Sequence, residues 1–143
     1  MYATFDDMLL RFGEEKLTQL TDRAMPPSGQ PDRDVVEAAL KDATELVDGY
    51  AAARYRTPLS PVPAPVLRWC ADIAFYYLHA ALPSVSQEVR KAYEDALAGL
   101  KVMGKGVIIF QAEGLPSEEV SATGDIRLES PPRVFTADSM KGF

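Results

Sequence analysis

The chain has 143 residues, a formal net charge of −6, 47% hydrophobic and 25% charged residues, with a sequence pI near 4.8. That size fits one domain with one real core, and scattered Lys and Arg argue against the basic stripe of a nucleic-acid binder. No apolar run approaches the roughly 18 to 20 residues of a membrane span. The acidic start, Met1 to Asp7, lacks the features of a signal peptide, so folding in the cytosol is expected. Cys70 is the sole cysteine, so an intrachain disulfide is impossible and a cysteine metal site is unsupported.

Four helical stretches are expected between about residues 4 and 104. The first begins at Thr4, a good N-cap, with Asp6 and Asp7 placed where the helix dipole favours negative charge. Phe5, Met8, Leu9 and Phe12 recur at helical spacing until Gly13 stops the run. Glu14 to Thr21 adds one or two turns, with Leu17 and Leu20 facing inward. Met25-Pro26-Pro27-Ser28-Gly29-Gln30-Pro31 is a loop. A long helix follows, expected from about Asp32 to Tyr55, with Val36, Ala39, Leu40, Ala43, Leu46, Val47 and Tyr50 in one buried stripe. Gly49 within it is a mild defect, costing up to about 1 kcal/mol against Ala, and suggests close packing against a neighbour.

Pro58, Pro61, Pro63 and Pro65 form a stiff connector, and Pro65 suits the first helical position. The third helix, to about Leu82, is apolar nearly all round and should be the most buried. Pro83 ends it. Either Ser84, with Gln87 in a capping box, or Ser86 starts the last helix. That helix runs to about Met103 with Val89, Ala92, Tyr93, Ala96, Leu97, Leu100 and Met103 on one side, and Gly104-Lys105-Gly106 ends it. Val107-Ile108-Ile109-Phe110 reads as a short strand, which needs a partner in the tail or another subunit. Of the 32 residues from 112 to 143, twelve are Gly, Pro, Ser or Thr. No period persists there, and such a segment cannot build its own core. The expected fold is thus mainly α: a small bundle of about four helices, residues 1–111 with a short terminal strand, and an extended C-terminal arm, residues 112–143.

No catalytic constellation emerges. His79 is the sole histidine, without a nucleophile elbow, and reads as a packing or surface residue. The pairs Asp6-Asp7, Glu14-Glu15 and Glu118-Glu119 point apart on a helix and suit no shared metal. Gly104-Lys105-Gly106 lacks the spacing of a P-loop and follows a helix. Trp69, Tyr76 and Tyr77 fit a core or subunit contact better than a base-stacking platform, since no basic groove accompanies them. Arg54, Tyr55 and Arg56 are candidates for an intersubunit contact. No enzyme activity, cofactor or metal is expected.

The opening Met1-Tyr2-Ala3-Thr4-Phe5-Asp6-Asp7-Met8 with Arg11-Phe12-Gly13 resembles the start of the Mu-like phage and prophage family of small head–tail connector proteins. So does Val47-Asp48-Gly49-Tyr50, leading through Ala53-Arg54-Tyr55 to Thr57-Pro58-Leu59. Tyr93-Glu94-Asp95-Ala96-Leu97, Leu100 and Gly104-Lys105-Gly106 are similar too, as are Pro131-Pro132-Arg133-Val134-Phe135 and Met140-Lys141-Gly142-Phe143. The resemblance spans nearly the whole chain in matching order. It departs near Ala98 and Gly99, where a larger residue is expected.

The resemblance implies a virion protein of the head–tail junction, made in the host cytoplasm: an adaptor, or head-completion, protein. It implies a homo-oligomeric ring of about a dozen copies in the phage neck. That ring would bind the portal protein, extend the DNA channel without specific DNA binding, and give the tail or a tail-terminator protein its docking surface. In the C-terminal arm, Arg133, Val134, Phe135, Met140, Lys141 and Phe143 are the expected partner-binding residues. The rival from another class is a DNA-packaging subunit resembling a small terminase, which would need a basic helix-turn-helix that the chain does not display.

Overall fold

In the computed structural model the structure describes residues 1–110. The first helical stretch forms two short helices, α1 (Phe5–Phe12) and α2 (Glu14–Thr21). The Thr4 side chain accepts the Asp7 N–H, while the Asp7 carboxylate accepts the Thr4 N–H at 2.8 Å, closing a capping box. Gly13, at φ 88°, ends α1 by donating to the Leu9 carbonyl and starts α2. Its positive φ is a conformation that only glycine adopts cheaply.

Helix α3 (Arg33–Ala51) is capped by Asp32, whose carboxylate accepts the Asp34 and Val35 N–H groups. It ends one turn earlier than expected. The next turn is irregular, although Tyr55 still donates to the Ala51 carbonyl at 2.8 Å. Helix α4 (Ala64–Leu78) starts one residue before Pro65, which takes the second helical position. It stops short of Leu82 because His79–Ala81 tighten into a 3-10 turn. Leu82 is then extended, at φ −95° and ψ 147°, as a residue before proline must be. Helix α5 (Gln87–Gly104) takes Ser86 as its cap, its Oγ accepting the Val89 N–H, which decides between the two serines. At its far end Gly106, at φ 73°, donates to the Met103 carbonyl and Val107 to the Val102 carbonyl. That pair of bonds is a Schellman motif.

Helix α4 is the central element. Val66, Cys70, Ala71, Ile73 and Ala74 are wholly buried along it, packed between α3 and α5. Its direction follows from its contacts. Early in α4, Cys70 meets Thr44 of α3 at 3.7 Å and Trp69 meets Gly99 late in α5. Late in α4, Tyr76 stacks on Tyr93 early in α5, with ring centroids 4.0 Å apart. So α4 runs antiparallel to α5. Gly104 lies against the Tyr50 carbonyl, within 2.9 Å of where a Cβ would stand, so α3 and α5 run parallel with their C-termini together. Helices α1 and α2 lie across this trio through Met8, Leu17 and the stacked rings of Phe12 and Phe75.

Two expectations fail. Val107–Phe110 is not a strand; Val107 is spent closing the Schellman motif. Gly49 packs against nothing within 4 Å of a Cβ position. Gly99, where a larger residue was expected, lies directly under the Trp69 ring, which leaves no room for a side chain.

Candidate functional site

Tyr2, Asp48, Tyr50, Arg54, Tyr55, Gly104 and Gly106, all within segments that carry the family resemblance, gather at one end of the bundle, where α3 and α5 finish and α4 begins, whereas Phe12 and Tyr93 of those segments pack late in α4. Tyr2 is buried there, though it lies at the chain start. Its hydroxyl donates to the Asp48 carboxylate and accepts the Leu59 N–H at 2.9 Å. Three segments distant in sequence, residues 2, 48 and 59, meet at one oxygen. Burial first, then the bond to Asp48, push the Tyr2 hydroxyl up to about 12.

A second set of contacts fixes where the chain leaves the body. The Arg54 guanidinium lies over Gly106, in the space a Cβ would take. The Tyr55 ring is buried, and its hydroxyl accepts the Phe110 N–H at 3.1 Å. Phe110 turns its ring edge-on to Trp69, centroids 6.1 Å apart. The path past α5 is therefore held at three successive points, Gly104, Gly106 and Phe110, by residues of α3, its following turn and α4.

The three candidates for an intersubunit contact are thereby sorted. Tyr55 is an internal anchor, Arg54 is half-buried over Gly106, and Arg56 is exposed. The arm residues Arg133, Val134, Phe135, Met140, Lys141 and Phe143 lie outside the described residues.

Beside this end, an open groove of about 620 Å³ runs between α4 and α5, lined by Trp69, Arg68, Asp72, Lys91, Ala92 and Asp95 among others. Asp72 is nearly buried and takes both Nε and Nη2 of Arg11, at 3.1 and 2.8 Å. Burial pushes its carboxyl up, and Arg11, with Arg68 farther off, offsets only part of that. The pair ties α1 to α4.

His79 uses Nδ1 to donate to the Phe75 carbonyl at 2.7 Å, since a carbonyl oxygen can only accept. Its ring stands edge-on to Phe75, so it is a packing residue at the end of α4. The Cys70 thiol is buried and pushed up by desolvation. Among the described residues no three His, Cys, Asp or Glu side chains are grouped to hold a metal, and no helix is long and apolar enough to cross a membrane. Trp69, Tyr76 and Tyr77 are spent on contacts within the chain. Trp69 rests on Gly99, Tyr76 stacks on Tyr93, and Tyr77 lies 6.1 Å from Tyr93.

Tyr2, Asp48, Trp69 and Gly99 carry this end of the molecule, and sequence reasoning assigned none of them that part. For Tyr2 and Asp48 the one available signal was their place inside the family-like motifs; Trp69 lies outside those motifs, and Gly99 lies where the resemblance departs.

Two curated proteins align along almost the full chain. Gene product J of Escherichia phage Mu is 33% identical over 142 residues, covering 99% of this chain and 98% of its own. The Mu-like prophage FluMu protein gp36 of Haemophilus influenzae is 29% identical over 143 residues, covering 100% and 98%. The family model described as Bacteriophage Mu, Gp36 matches residues 2–128, and the chain belongs to that family of Mu-like phage proteins.

Proposed function

We propose that this chain is a structural head–tail connector of the adaptor type, without enzymatic activity, that forms a ring beneath the portal and presents a surface to the tail. The carrying observation is how the family-like motifs are used. Tyr2, Asp48, Tyr50, Arg54, Tyr55, Gly104 and Gly106 grip one another and set the point from which residues beyond 110 depart. Their polar groups are spent on positioning rather than on an open reactive centre. That suits a body built to hold and aim an arm.

In this reading the arm docks on the portal or a neighbouring copy through Phe135, Met140 and Phe143. Burying each is worth roughly 1.5 to 3 kcal/mol, which offsets part of the entropy lost in ordering the segment. Arg133 and Lys141 add charge contacts, which contribute little if exposed. Arg56 and Arg54 lie at the rim where a neighbour would approach. The channel face is acidic or neutral, so DNA slides without salt-sensitive phosphate contacts.

The test adds purified protein to portal-bearing heads that lack it, then measures retention and tail joining. Retention by the wild-type chain, with loss for the Phe135→Ala, Phe143→Ala double variant, is expected. Equal retention for both would remove the arm's role. Failure of the wild type to bind heads, together with tight binding of duplex DNA at physiological salt, would favour the packaging-subunit reading instead.

A further inference from the structure

The floor of the groove between α4 and α5 holds a carboxylate that the fold leaves partly unpaired. The Asp72 side chain is 9% exposed, and both Nε and Nη2 of Arg11 go to its Oδ1. Among the described residues nothing donates to its Oδ2. No fully buried side-chain oxygen among them lacks a partner, so Oδ2 opens on the groove that Asp72 lines. A buried carboxylate gains most from donors on both oxygens, and burial already pushes this carboxyl up. Three residues earlier on α4, Trp69 lines the same groove, half-buried over Gly99 with Phe110 at its edge. The facing wall of α5 carries Glu88, Lys91 and Asp95, all exposed, and is acidic by one charge. The groove thus offers a cation and an apolar group adjoining places.

The C-terminal arm has one stretch of matching chemistry. Residues 112–130 hold five carboxylates and one arginine, whereas residues 131–143 hold Arg133 and Lys141 against Asp138 alone. Only the second stretch is net positive. Within it Arg133 and Phe135 are two residues apart. In an extended segment such side chains share one side, about 7 Å apart, close to the roughly 5–6 Å between Cβ atoms three residues apart on a helix. Asp72 and Trp69 are spaced in that way.

We infer that this groove is the acceptor site for the Arg133–Phe135 segment of a second copy, Arg133 donating to Asp72 Oδ2 and Phe135 seating against Trp69. The guanidinium meets a carboxylate that water scarcely screens. The groove's other cations, Arg68 and Lys91, are exposed and therefore screened. The Phe135 ring joins the edge-on pair of Trp69 and Phe110, a contact worth more than its buried area alone. The chain's own arm is a poorer occupant. It leaves the body at Phe110, against Trp69, and like charges along residues 112–130 favour extended states, which carry Arg133 away from its point of departure. The inference rests on the ring reading above and deepens it. It names the surface that receives the arm, and the receiver is a neighbouring copy rather than the portal.

Trp69 is the sole tryptophan, so its fluorescence reports occupancy of the groove. A peptide of residues 130–143 is titrated into the full-length protein, held dilute enough to be monomeric. A saturable change in emission is expected, with affinity lower by at least about tenfold for the Arg133→Glu or Phe135→Ala peptide, the loss typical of an interface anchor. On the acceptor side, Asp72→Asn should weaken the peptide by a similar factor. If that variant fails to fold, Asp95→Lys, at an exposed position, should still weaken it severalfold. No change in emission, or equal affinity for all three peptides, would overturn the site. A response only from the full-length chain carrying Phe135→Ala would put the chain's own arm in the groove and overturn the second copy. Retention on portal-bearing heads is measured in parallel. Retention with a silent peptide would remove this contact and leave the connector reading standing. A binding peptide without retention would do the reverse.

Discussion

Between α3, α4 and α5 the contact is almost wholly apolar. Val36, Leu40, Val47, Ile73 and Leu100 have no exposed surface, and the stripes that bury them follow the helical period. The N-terminal pair, α1 and α2, adds Met8 and Leu17 to that core but is tied down at discrete polar points. Tyr2 meets Asp48 and Leu59, Arg11 meets Asp72, and the Thr21 hydroxyl accepts the Asp32 N–H at 2.9 Å. Apolar burial is non-directional and scales with area, so it suffices for long helices. Eight-residue helices such as α1 and α2 are too short to be stable alone. A few directional bonds fix their placement instead.

The largest effect is expected inside the trio. Ile73→Ala should cost about 2–5 kcal/mol, the range for deleting a fully buried aliphatic side chain. Chemical denaturation followed by circular dichroism should show a lower midpoint for the whole helical signal. A loss confined to a fraction of that signal would mean the trio is not one cooperative unit.

Arg11→Ala tests the ties. It strands a nearly buried carboxylate, which costs several kcal/mol in a dry site. Arg11 itself keeps about a third of its side chain in solvent, so about 2–3 kcal/mol is expected at neutral pH. Burial already holds the Asp72 carboxyl above its ordinary 3.8. The folded protein thus holds that proton more tightly than the unfolded chain, and stability falls as pH rises through the carboxyl range. Removing the guanidinium deepens this fall. The gap between variant and wild type should widen from acid to neutral pH, and a constant gap would assign Arg11 a packing role alone.

Tyr2→Phe should cost about 1–2 kcal/mol, because it leaves the Leu59 N–H and the Asp48 carboxylate without their partner. The folded hydroxyl, at about 12, lies above the ordinary value of 10. Its contribution is complete below pH 10 and fades as pH rises toward 12. Wild type should therefore lose stability across that alkaline window, and the variant should lose less. Parallel alkaline curves would exclude Tyr2 as the titrating group.

The apolar trio was legible in advance because its signal is local. Val36, Leu40, Ala43 and Val47 declare a buried face by spacing alone, and Thr4 and Asp32 declare helix starts by their chemistry, whereas Ser84 and Ser86 both fitted the last start and the structure chose Ser86. The ties were not legible. Tyr2 and Asp48 are 46 residues apart and no periodicity links them. Glycine was misread for the same reason. Gly49 looked like a close-packing position from its place in a helix, yet open space surrounds it, while Gly99 is the one covered by Trp69. Whether a glycine meets a neighbour depends on the tertiary arrangement. The β-prone run Val107–Phe110 satisfied strand propensity, but the turn that ends α5 and the Tyr55 hydroxyl claimed its backbone first.

Gly99→Ala sharpens that point with a smaller effect. Alanine gains up to about 1 kcal/mol over glycine in a helix, whereas crowding a tight contact costs about 1–3 kcal/mol. A net loss of about 1 kcal/mol is expected. The chain has one tryptophan, so its fluorescence reports the contact directly, and the emission should shift. A stabilised variant with unchanged emission would show that the Trp69 ring yields freely.

The smallest effect is expected from removing residues 112–143. Every wholly buried apolar side chain among the described residues lies between Tyr2 and Met103, and Phe110 is the last to pack against that core. If the trio and its ties hold the body together, ending the chain at Gln111 removes no contact on which they depend. The midpoint of thermal unfolding should then move by less than about 0.5 kcal/mol equivalent, the usual scale for changes away from the core. Helicity and the Trp69 emission should be retained, while retention on portal-bearing heads is lost. A truncated chain that is monomeric but lacks a cooperative transition would show a third region contributing to stability, and the contrast between apolar trio and tied N-terminal pair would no longer account for the fold.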